Sequence, residues 1–333
     1  MIIEELWMHR ALQLAALGLG KVQPNPMVGA VIVHNEQIIG EGYHQQCGSP
    51  HAEVNAIGAV KNQELLKEST LYVNLEPCAH FGKTPPCASL IIEKKISKVV
   101  VGMKDPSEKV NGKGIKMLRD AGIEVIENVL QDECLRLNKR FVTYHTKKRS
   151  YIFLKWAQTK NGFIDILRDC NIGGGVACRD GARPVSTYWI TNDALRVWAH
   201  KLRNEEQAIL IGYNTLKNDN PQLTNRFYGS NQPQRFVLCD EPKPIEVESF
   251  SILVGNVEEA LNELHALKIQ SVIVEGGKKT LQKFLDAGLW DEALVLTGNV
   301  TWDSGVEAPK MLHAFDDEIH VDGETVKHYF HLI

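Results

Sequence analysis

The stretch that decides the fold of this chain lies between residues 50 and 87. It reads Pro50-His-Ala-Glu53 and, after an apolar segment, Pro77-Cys-Ala-His-Phe-Gly-Lys-Thr-Pro-Pro-Cys87. One imidazole and two thiolates offer a zinc ion three of its four tetrahedral positions, and an open fourth position is typical of a catalytic zinc rather than a structural one. The spacing therefore predicts one catalytic Zn²⁺ per chain, with His51, Cys78 and Cys87 as its ligands.

Glu53 is too close in sequence to His51 to act as the fourth ligand, but it can move protons between an activated water and a leaving amine. His-x-Glu followed by Pro-Cys and a second cysteine is typical of zinc deaminases of nucleobases. Eight residues separate the two cysteines here, and such a long loop suits a substrate larger than a bare base. Two alternatives are a structural zinc, which normally has a fourth Cys or His nearby, and a Cys78–Cys87 disulfide, which a reducing compartment disfavours.

Composition limits the classes of protein that remain. The chain has 333 residues, 44% hydrophobic and 23% charged, with a net charge of −4. These values are ordinary for a globular protein of about two domains, and the net acidity argues against a nucleic-acid or membrane surface. Seven irregularly spaced cysteines form no disulfide framework. The acidic start resembles no signal peptide, and no apolar run approaches the ~20 residues of a membrane span. We therefore expect a cytoplasmic protein.

In the first half, strands and helices alternate. The predicted helices cover residues 4–18, 50–66, a stretch from Pro85-Pro86, 114–121 and about 132–147, and the predicted strands cover 28–33, 38–39, 70–75, 99–101 and 123–126. His51 and Glu53 then lie in the first turn of a helix, Cys78 lies just past a strand end, and Cys87 lies near a helix N-terminus. This order indicates a sheet with helices on both faces.

The pattern restarts near residues 147–150, so we expect a domain boundary between 148 and 149. The second domain, 149–333, shows predicted strands at 151–157, 208–211, 235–239, 271–274 and 293–297, and helices at 193–202, 258–267 and 279–285. Thr191 or Asn192 is the expected cap of the first of these helices. Gly276-Gly277 follows a strand and opens a helix, a geometry that suits a phosphate. No Gly-x-Gly-x-x-Gly follows a strand, so a Rossmann domain is not indicated.

Several motifs together resemble one family over nearly the whole chain. They are Pro-Asn25-Pro, Gly-Tyr-His44, His51-Ala-Glu53, the loop from Cys78 to Cys87, and in the second half 154–159, 189–191, 208–212, 219–224 and 274–277. The chain resembles the bifunctional riboflavin biosynthesis deaminase/reductases. The resemblance implies an α/β protein with a cytidine-deaminase-like three-layer α/β/α domain at 1–148, followed by a dihydrofolate-reductase-like α/β domain at 149–333.

The resemblance also implies two reactions. The first is zinc-dependent hydrolytic deamination of 2,5-diamino-6-ribosylamino-4(3H)-pyrimidinone 5′-phosphate. The second is NADPH-dependent reduction of the ribosyl group to ribityl, which gives 5-amino-6-ribitylamino-uracil 5′-phosphate. The implied cofactors are Zn²⁺ and NADPH, and the implied partners are this small phosphorylated pyrimidine and further copies of the chain in a homodimer or higher homo-oligomer.

The resemblance assigns roles to individual residues. It implies catalytic roles for Glu53 and for Lys155, which is expected at a strand end. The implied substrate contacts of the deaminase are Asn25, His44 and Lys83. The implied cofactor contacts are Ala157, Trp189, Thr215, Asp219, Gly276 and Gly277, and the implied substrate contacts of the reductase are Thr187, Arg203, Leu223, Arg226 and Glu275.

The chain departs from the family pattern in its second half. Thr159 and Thr187 replace the usual serines, Asn161 replaces the usual Asp, and the connection over 165–184 is longer than usual. We interpret that connection as a surface insertion without chemistry. One alternative is an active deaminase with a degenerate reductase. A deaminase acting on nucleic acid is another, although the net acidity argues against it. A purely structural zinc protein with a nucleotide-sensing domain is the third.

Overall fold

The structure is a computed structural model that describes residues 3–81, 85–166, 189–243 and 249–331. The chain divides into two compact units, Met1–Lys148 and Arg149–Ile333. Within the described ranges, no helix combines the length and apolar character that crossing a membrane requires.

The first unit is built on a five-stranded sheet. Its strands are Gly29–His34 (β1), Gln37–Tyr43 (β2), Thr70–Leu75 (β3), Lys98–Met103 (β4) and Glu124–Ile126 (β5). The strand order is β2-β1-β3-β4-β5, in which β1 is antiparallel to β2 and β3 while β3, β4 and β5 run parallel. Because β3 and β4 run in the same direction, the loops that follow them leave from the same edge of the sheet.

Helices cover both faces of this sheet. They are Ile3–Ala16 (α1), Ala52–Ala59 (α2), Cys87–Glu93 (α3), Lys113–Asp120 (α4), Gln131–Leu137 (α5) and Lys139–Thr146 (α6). Alternate residues of β1 face opposite layers, as the two-residue period of a strand requires. Ala30 and Ile32 share a core cluster with residues of α2, α3 and α4, whereas Val31 and Val33 share one with residues of α1 and α5. The predicted three-layer α/β/α fold is therefore confirmed.

Two predicted helices of this unit were too long. The helix expected over 50–66 ends at Ala59, Val60 is extended, and a separate 3₁₀ helix covers Gln63–Glu68. The Gln63 side chain donates hydrogen bonds to the carbonyls of Ile57 and Val60, and so satisfies carbonyl groups that a continuing helix would have used.

The helix expected over about 132–147 breaks at Asn138, between α5 and α6. The Asn138 side chain accepts the backbone N–H of Met27 and donates to the carbonyl of the same residue. The break places this amide against a distant segment of the chain, and no local pattern signals such a contact.

The second unit contains an eight-stranded sheet. Its strands are Tyr151–Gln158 (β6), Ala208–Gly212 (β8), Gln234–Cys239 (β9), Ser251–Val254 (β10), Ser271–Glu275 (β11), Glu292–Thr297 (β12), Asp317–Val321 (β14) and Glu324–Phe330 (β15), and Phe163–Asp165 (β7) pairs separately with Val306–Glu307 (β13). The order is β10-β9-β8-β11-β6-β12-β15-β14. The first six strands in this order are parallel, and β15 and β14 continue the sheet antiparallel to their neighbours.

Helices again cover both faces. They are Asp193–Glu205 (α7), Tyr213–Asp219 (α8), Val257–Ala266 (α9) and Lys278–Asp286 (α10). Core residues of α9 and α10 pack on one face, and those of α7 and α8 pack on the other. The N-cap of α7 is Asn192, whose side chain accepts the N–H of Leu195, so of the two expected caps Asn192 was the correct one.

The sequence pattern missed α8, β10 and the hairpin of β14 and β15. The hairpin had a local signal, because Asp322 and Gly323, both at positive φ, form its turn. An Asp-Gly pair between alternating residues is a strong indication of a two-residue hairpin turn.

Candidate active sites

The predicted zinc ligands lie together at one edge of the first sheet. His51 is the N-cap of α2, Cys78 follows β3 by three residues, and Cys87 is the first residue of α3. His51 Nδ1 lies 3.3 Å from Cys87 Sγ and 3.7 Å from Cys78 Sγ, and the three candidate ligand atoms all lie within 4.8 Å of one another. Within the described part of the chain, this is the one cluster of three or more His, Cys, Asp or Glu ligands.

The geometry of this cluster fits a tetrahedral zinc. Zinc–sulphur bonds of about 2.3 Å and zinc–nitrogen bonds of about 2.0 Å place the two ligand types roughly 3.5 Å apart, close to both measured distances. Both cysteines are free thiols, so the disulfide alternative receives no support. No fourth Cys or His joins the cluster among the described residues, as an open catalytic site requires.

The two thiols differ sharply in how readily they ionise. Hydrogen bonds from Cys87 and His51 lower the pKa of Cys78 to about 4 despite its burial. The ionised Cys78, together with burial, raises the pKa of Cys87 far above its usual range. Two thiolates this close repel each other, so both ionise together only when a metal ion lies between them.

Glu53 lies beside the three predicted zinc ligands, in the first turn of α2, where it was predicted. Its side chain is buried, with only 3% of the residue exposed. Burial, followed by the negative charge of Cys78, raises the pKa of Glu53 to about 7. A carboxyl group whose pKa lies near neutrality can both accept and return a proton, which suits general acid–base chemistry.

Asn25 and His44 form a linked pair next to the cluster. His44 Nδ1 lies 3.1 Å from the carbonyl oxygen of Pro50, so it carries the proton and donates it. His44 Nε2 then accepts from Asn25 Nδ2 at 3.0 Å. Burial lowers the pKa of His44, which favours the neutral ring that this hydrogen-bond pattern requires. The His44 ring meets the His51 ring edge-on at a centroid distance of 5.5 Å. The Asn25–His44 pair is therefore in direct contact with a predicted zinc ligand.

In the second unit, three residues assigned to the reductase by resemblance form an ion cluster that is largely shielded from solvent. Glu275 Oε2 lies 2.9 Å from Arg203 Nη2 and 3.6 Å from Lys155 Nζ, and each of the three side chains is 12% exposed. Lys155 was expected at a strand end, and this was wrong. It lies inside β6, with β11 on one side and β12 on the other. Only the sheet order reveals that this lysine is enclosed.

The electrostatics of the ion cluster favour its charged form. Burial opposes ionisation of Glu275, but the Arg203 and Lys155 charges outweigh it and hold the pKa of Glu275 at about 2. Burial lowers the pKa of Lys155, and the Glu275 charge offsets part of that effect. The cluster therefore holds a lysine that releases a proton more easily than a solvated one.

Comparison with known proteins now identifies the family. Residues 1–103 match the family model described as the cytidine and deoxycytidylate deaminase zinc-binding region, and residues 180–301 match that of the RibD C-terminal domain. The riboflavin biosynthesis protein RibD of Aquifex aeolicus is 40% identical over 324 residues, which cover 88% of this chain and 86% of that protein. The chain belongs to the RibD family. RibD of Bacillus amyloliquefaciens is 37% identical, with 87% of this chain and 83% of that protein covered.

Solved structures agree with this membership. A diaminohydroxyphosphoribosylaminopyrimidine deaminase/5-amino-6-(5-phosphoribosylamino)uracil reductase from Thermotoga maritima superposes with a TM-score of 0.83 at 35% identity and 98% coverage of both chains. Acinetobacter baumannii RibD superposes with a TM-score of 0.84 at 28% identity and the same coverage. The predicted family and both predicted domain folds are confirmed, and this chain carries a deaminase and a reductase domain.

The remaining residues assigned by resemblance are only partly connected. Thr215 on α8 accepts the N–H of Gly277 at 3.0 Å, so one of the amides at the Gly276-Gly277 turn already has a partner. Lys83 and Thr187 lie outside the described residues. The other residues lie in the same unit: Ala157 in β6, exposed Trp189 before α7, Asp219 ending α8, and Leu223 and Arg226 in the loop before β9.

Asn161, at a position where the resemblance implies an Asp, makes hydrogen bonds that account for its amide. Its Oδ1 accepts from Thr159 Oγ1 at 2.8 Å and from the Trp302 N–H at 3.2 Å, while its Nδ2 donates to the Trp302 carbonyl at 2.7 Å. An Asp could not make the last of these bonds. The amide therefore ties the turn after β6 to a distant segment.

Two residues of α7, Arg196 and His200, were not singled out from the sequence, although they lie on the same helix as Arg203. The Arg196 guanidinium lies 4.3 Å from the Trp189 ring and 5.5 Å from the Phe227 ring, and its buried Nε finds no hydrogen-bond partner among the described residues. His200 Nδ1 accepts the N–H of Arg226 at 2.9 Å. The helical spacing of 196, 200 and 203 was the available signal.

Proposed function

We propose that this chain catalyses two successive steps of riboflavin biosynthesis. The first unit hydrolyses the ring amine of 2,5-diamino-6-ribosylamino-4(3H)-pyrimidinone 5′-phosphate, with one zinc ion held by His51, Cys78 and Cys87. The second unit reduces the ribosyl group of the product to ribityl with NADPH. The observation that carries the proposal is the His51–Cys78–Cys87 cluster with the buried carboxyl of Glu53 two residues further on.

In the deaminase, the chain's own residues manage protons and orientation. Zinc, when bound, would make a water acidic near neutral pH and so provide the nucleophile. Glu53 takes one proton of the attacking water on a carboxylate oxygen and passes it to the ring nitrogen. It then takes the proton that remains on the added oxygen and delivers it to the amino group, which leaves as ammonia while the ring carbonyl forms. Asn25 donates one side-chain N–H to His44. The side-chain oxygen and the second N–H of Asn25 can then bind the pyrimidine edge or a ribose hydroxyl. Lys83 pairs with the 5′-phosphate in this proposal.

In the reductase, the ion cluster prepares the proton source. NADPH, when bound, would supply the reducing equivalents. Lys155 orients the ring-opened ribosyl group, whose C1′=N bond accepts hydride at the carbon, and gives up a proton from Nζ to the nitrogen, which its lowered pKa favours. Glu275 holds Lys155 and Arg203 in place and contacts the substrate. The substrate phosphate is bound by Arg203 and Arg226, and the rest of the substrate contacts Leu223 and Thr187. The residues that contact the cofactor are Ala157, Trp189, Thr215, Asp219, Gly276 and Gly277.

The substitution E53Q tests the deaminase proposal. The variant keeps the size of the side chain but cannot carry the proton, so we expect zinc content to stay at the wild-type level while ammonia release falls at least about 100-fold. NADPH oxidation with deaminated substrate supplied directly should be unchanged, because that reaction belongs to the other unit. Full ammonia release by E53Q would refute the assigned proton transfer.

The alternative of an active deaminase with a degenerate reductase receives no support from the ion cluster, because Lys155, Arg203 and Glu275 are all present and paired. The same NADPH assay separates an active reductase from a degenerate one, and NADH in parallel tests the preference for the phosphorylated cofactor.

A homodimer or higher homo-oligomer and a cytoplasmic location complete the proposal. Light scattering of the purified chain tests the first, and cell fractionation tests the second.

A further inference from the structure

Glu76 is a buried carboxylate next to the zinc site to which no role has been assigned. It follows β3 directly and precedes Cys78 by two residues, and only 3% of it is exposed. Its Oε2 accepts the N–H groups of Asp105 at 3.2 Å and Gly112 at 2.9 Å. Its Oε1 accepts those of Gly114 at 2.9 Å and Ile115 at 3.2 Å. Four backbone donors therefore converge on one side chain.

These donors belong to the segment that follows β4. The N–H groups of Gly112, Gly114 and Ile115 are at the start of α4, where helical N–H groups have no partner within the helix. A carboxylate in this position also complements the positive end of the helix dipole. The backbone N–H of Glu76 donates to the Met103 carbonyl at 2.9 Å, so main chain and side chain both attach this residue to the neighbouring loop.

The next residue is held just as closely. A β-carbon built on Gly114 would lie 1.9 Å from the carbonyl oxygen of Pro77, so α4 packs against the main chain of Pro77 with no space left. Proline restricts its own φ, which leaves little freedom between the fixed Glu76 carboxylate and Cys78. The Cys78 sulphur in turn accepts the Cys87 N–H at 3.2 Å.

We propose that Glu76 is a positioning residue of the zinc site, which fixes the Cys78 sulphur relative to His51 Nδ1 and the Cys87 sulphur by anchoring residues 76–78 to the start of α4. The inference rests on the proposed zinc site. Metal–ligand distances tolerate only about 0.2 Å, and outer hydrogen bonds that orient ligands typically contribute 10–100-fold to metal affinity. Glu76 acts through Cys78 and does not touch the reacting atoms in this proposal.

The isosteric variant E76Q in the full-length chain tests the inference. In this variant an NH₂ group replaces one of the two carboxylate oxygens. Whichever oxygen is replaced, two accepted hydrogen bonds are lost and the new N–H groups face backbone N–H groups. We expect chelator competition to show zinc binding roughly 10–100-fold weaker than in wild type. In the cobalt(II)-loaded protein, we expect the visible ligand-field and sulphur-to-cobalt bands to shift or weaken, because these bands report the geometry around the metal.

The matched control is E41Q, which removes a carboxylate of the same unit that binds the Arg10 side chain at 2.6 and 3.0 Å. It should keep wild-type zinc affinity and the wild-type cobalt spectrum. Affinities are compared at a temperature where the metal-free form of each variant is still folded. A variant E76Q that melts earlier but has unchanged affinity and spectrum would show that Glu76 supports only the fold, and this would overturn the inference.

If E76Q does not fold, E76D replaces it in the same two measurements. Asp keeps the charge but cannot reach all four donors, so weakened zinc binding with an altered cobalt spectrum is expected, and wild-type values for both would overturn the inference. Failure of the proposed zinc site itself is distinguishable, because wild type would then bind no stoichiometric zinc at all.

Discussion

Replacing Glu275 by Gln should destabilise the second unit, because it leaves two buried cations without their counter-ion. Glu275 is the one carboxylate that contacts both Arg203 and Lys155 among the described residues, and all three side chains are 12% exposed. The pKa of Glu275 falls from 4.5 to about 2. Each tenfold change in proton affinity is worth about 1.4 kcal/mol, so the charged interactions contribute about 3 kcal/mol. Breaking a buried pair by removing one partner typically costs 3–5 kcal/mol.

We expect the lower end of that range, because each of the three side chains keeps 12% exposure and solvent can partly screen the uncompensated charges. The assay is urea unfolding of the full chain at pH 7, followed by fluorescence, with E307Q as the matched control. Glu307 binds Lys278 at 3.0 Å, but its side chain is 69% exposed, and such pairs contribute at most about 1 kcal/mol.

The same variant makes a pH prediction with a definite sign. A carboxyl group whose pKa is lowered by folding stabilises the protein fully above its unfolded pKa, here 4.5, and loses that contribution as the pH falls toward 2. The difference in unfolding free energy between wild type and E275Q should therefore be constant from pH 7 to about 5 and shrink below that. A difference under about 0.5 kcal/mol at pH 7, or one that grows as the pH falls, would contradict the reasoning.

Three further predictions concern single residues. C87S should weaken zinc binding by more than the roughly 100-fold that loss of an outer hydrogen bond can cause, and metal analysis after dialysis together with NADPH oxidation should show an empty deaminase beside an intact reductase. N25A removes the donor to His44 Nε2 and should raise the KM of deamination about tenfold or more while zinc content stays constant; an unchanged KM would exclude Asn25 as a substrate contact. N161D should cost about 1 kcal/mol through the lost bond to the Trp302 carbonyl, and a gain in reductase activity would instead indicate that the acidic residue of the family is catalytic.

Much of the first unit was predictable because its signals are local. The nearly continuous apolar runs of β1 and β3 predict strands that are buried on both faces. The motif around His51, Cys78 and Cys87 contains all three ligands within 37 residues, and the intervening strand and helices return them to one edge of the sheet. One error occurred where a side chain makes a distant contact, at Asn138, whose amide binds Met27.

The sequence by itself determined the metal donors, the family and the two α/β domains, since ligand chemistry depends on residue type and spacing. Only the tertiary structure decided which charges meet. Lys155, Arg203 and Glu275 come from three separate elements, and parallel pairing of β6 with β11 places the first and last of them side by side. Likewise, the four N–H groups around Glu76 lie 29 to 39 residues away in sequence. The physical reason is that the strength of a charge or hydrogen bond depends on distance and burial in space, which the order of residues along the chain does not state.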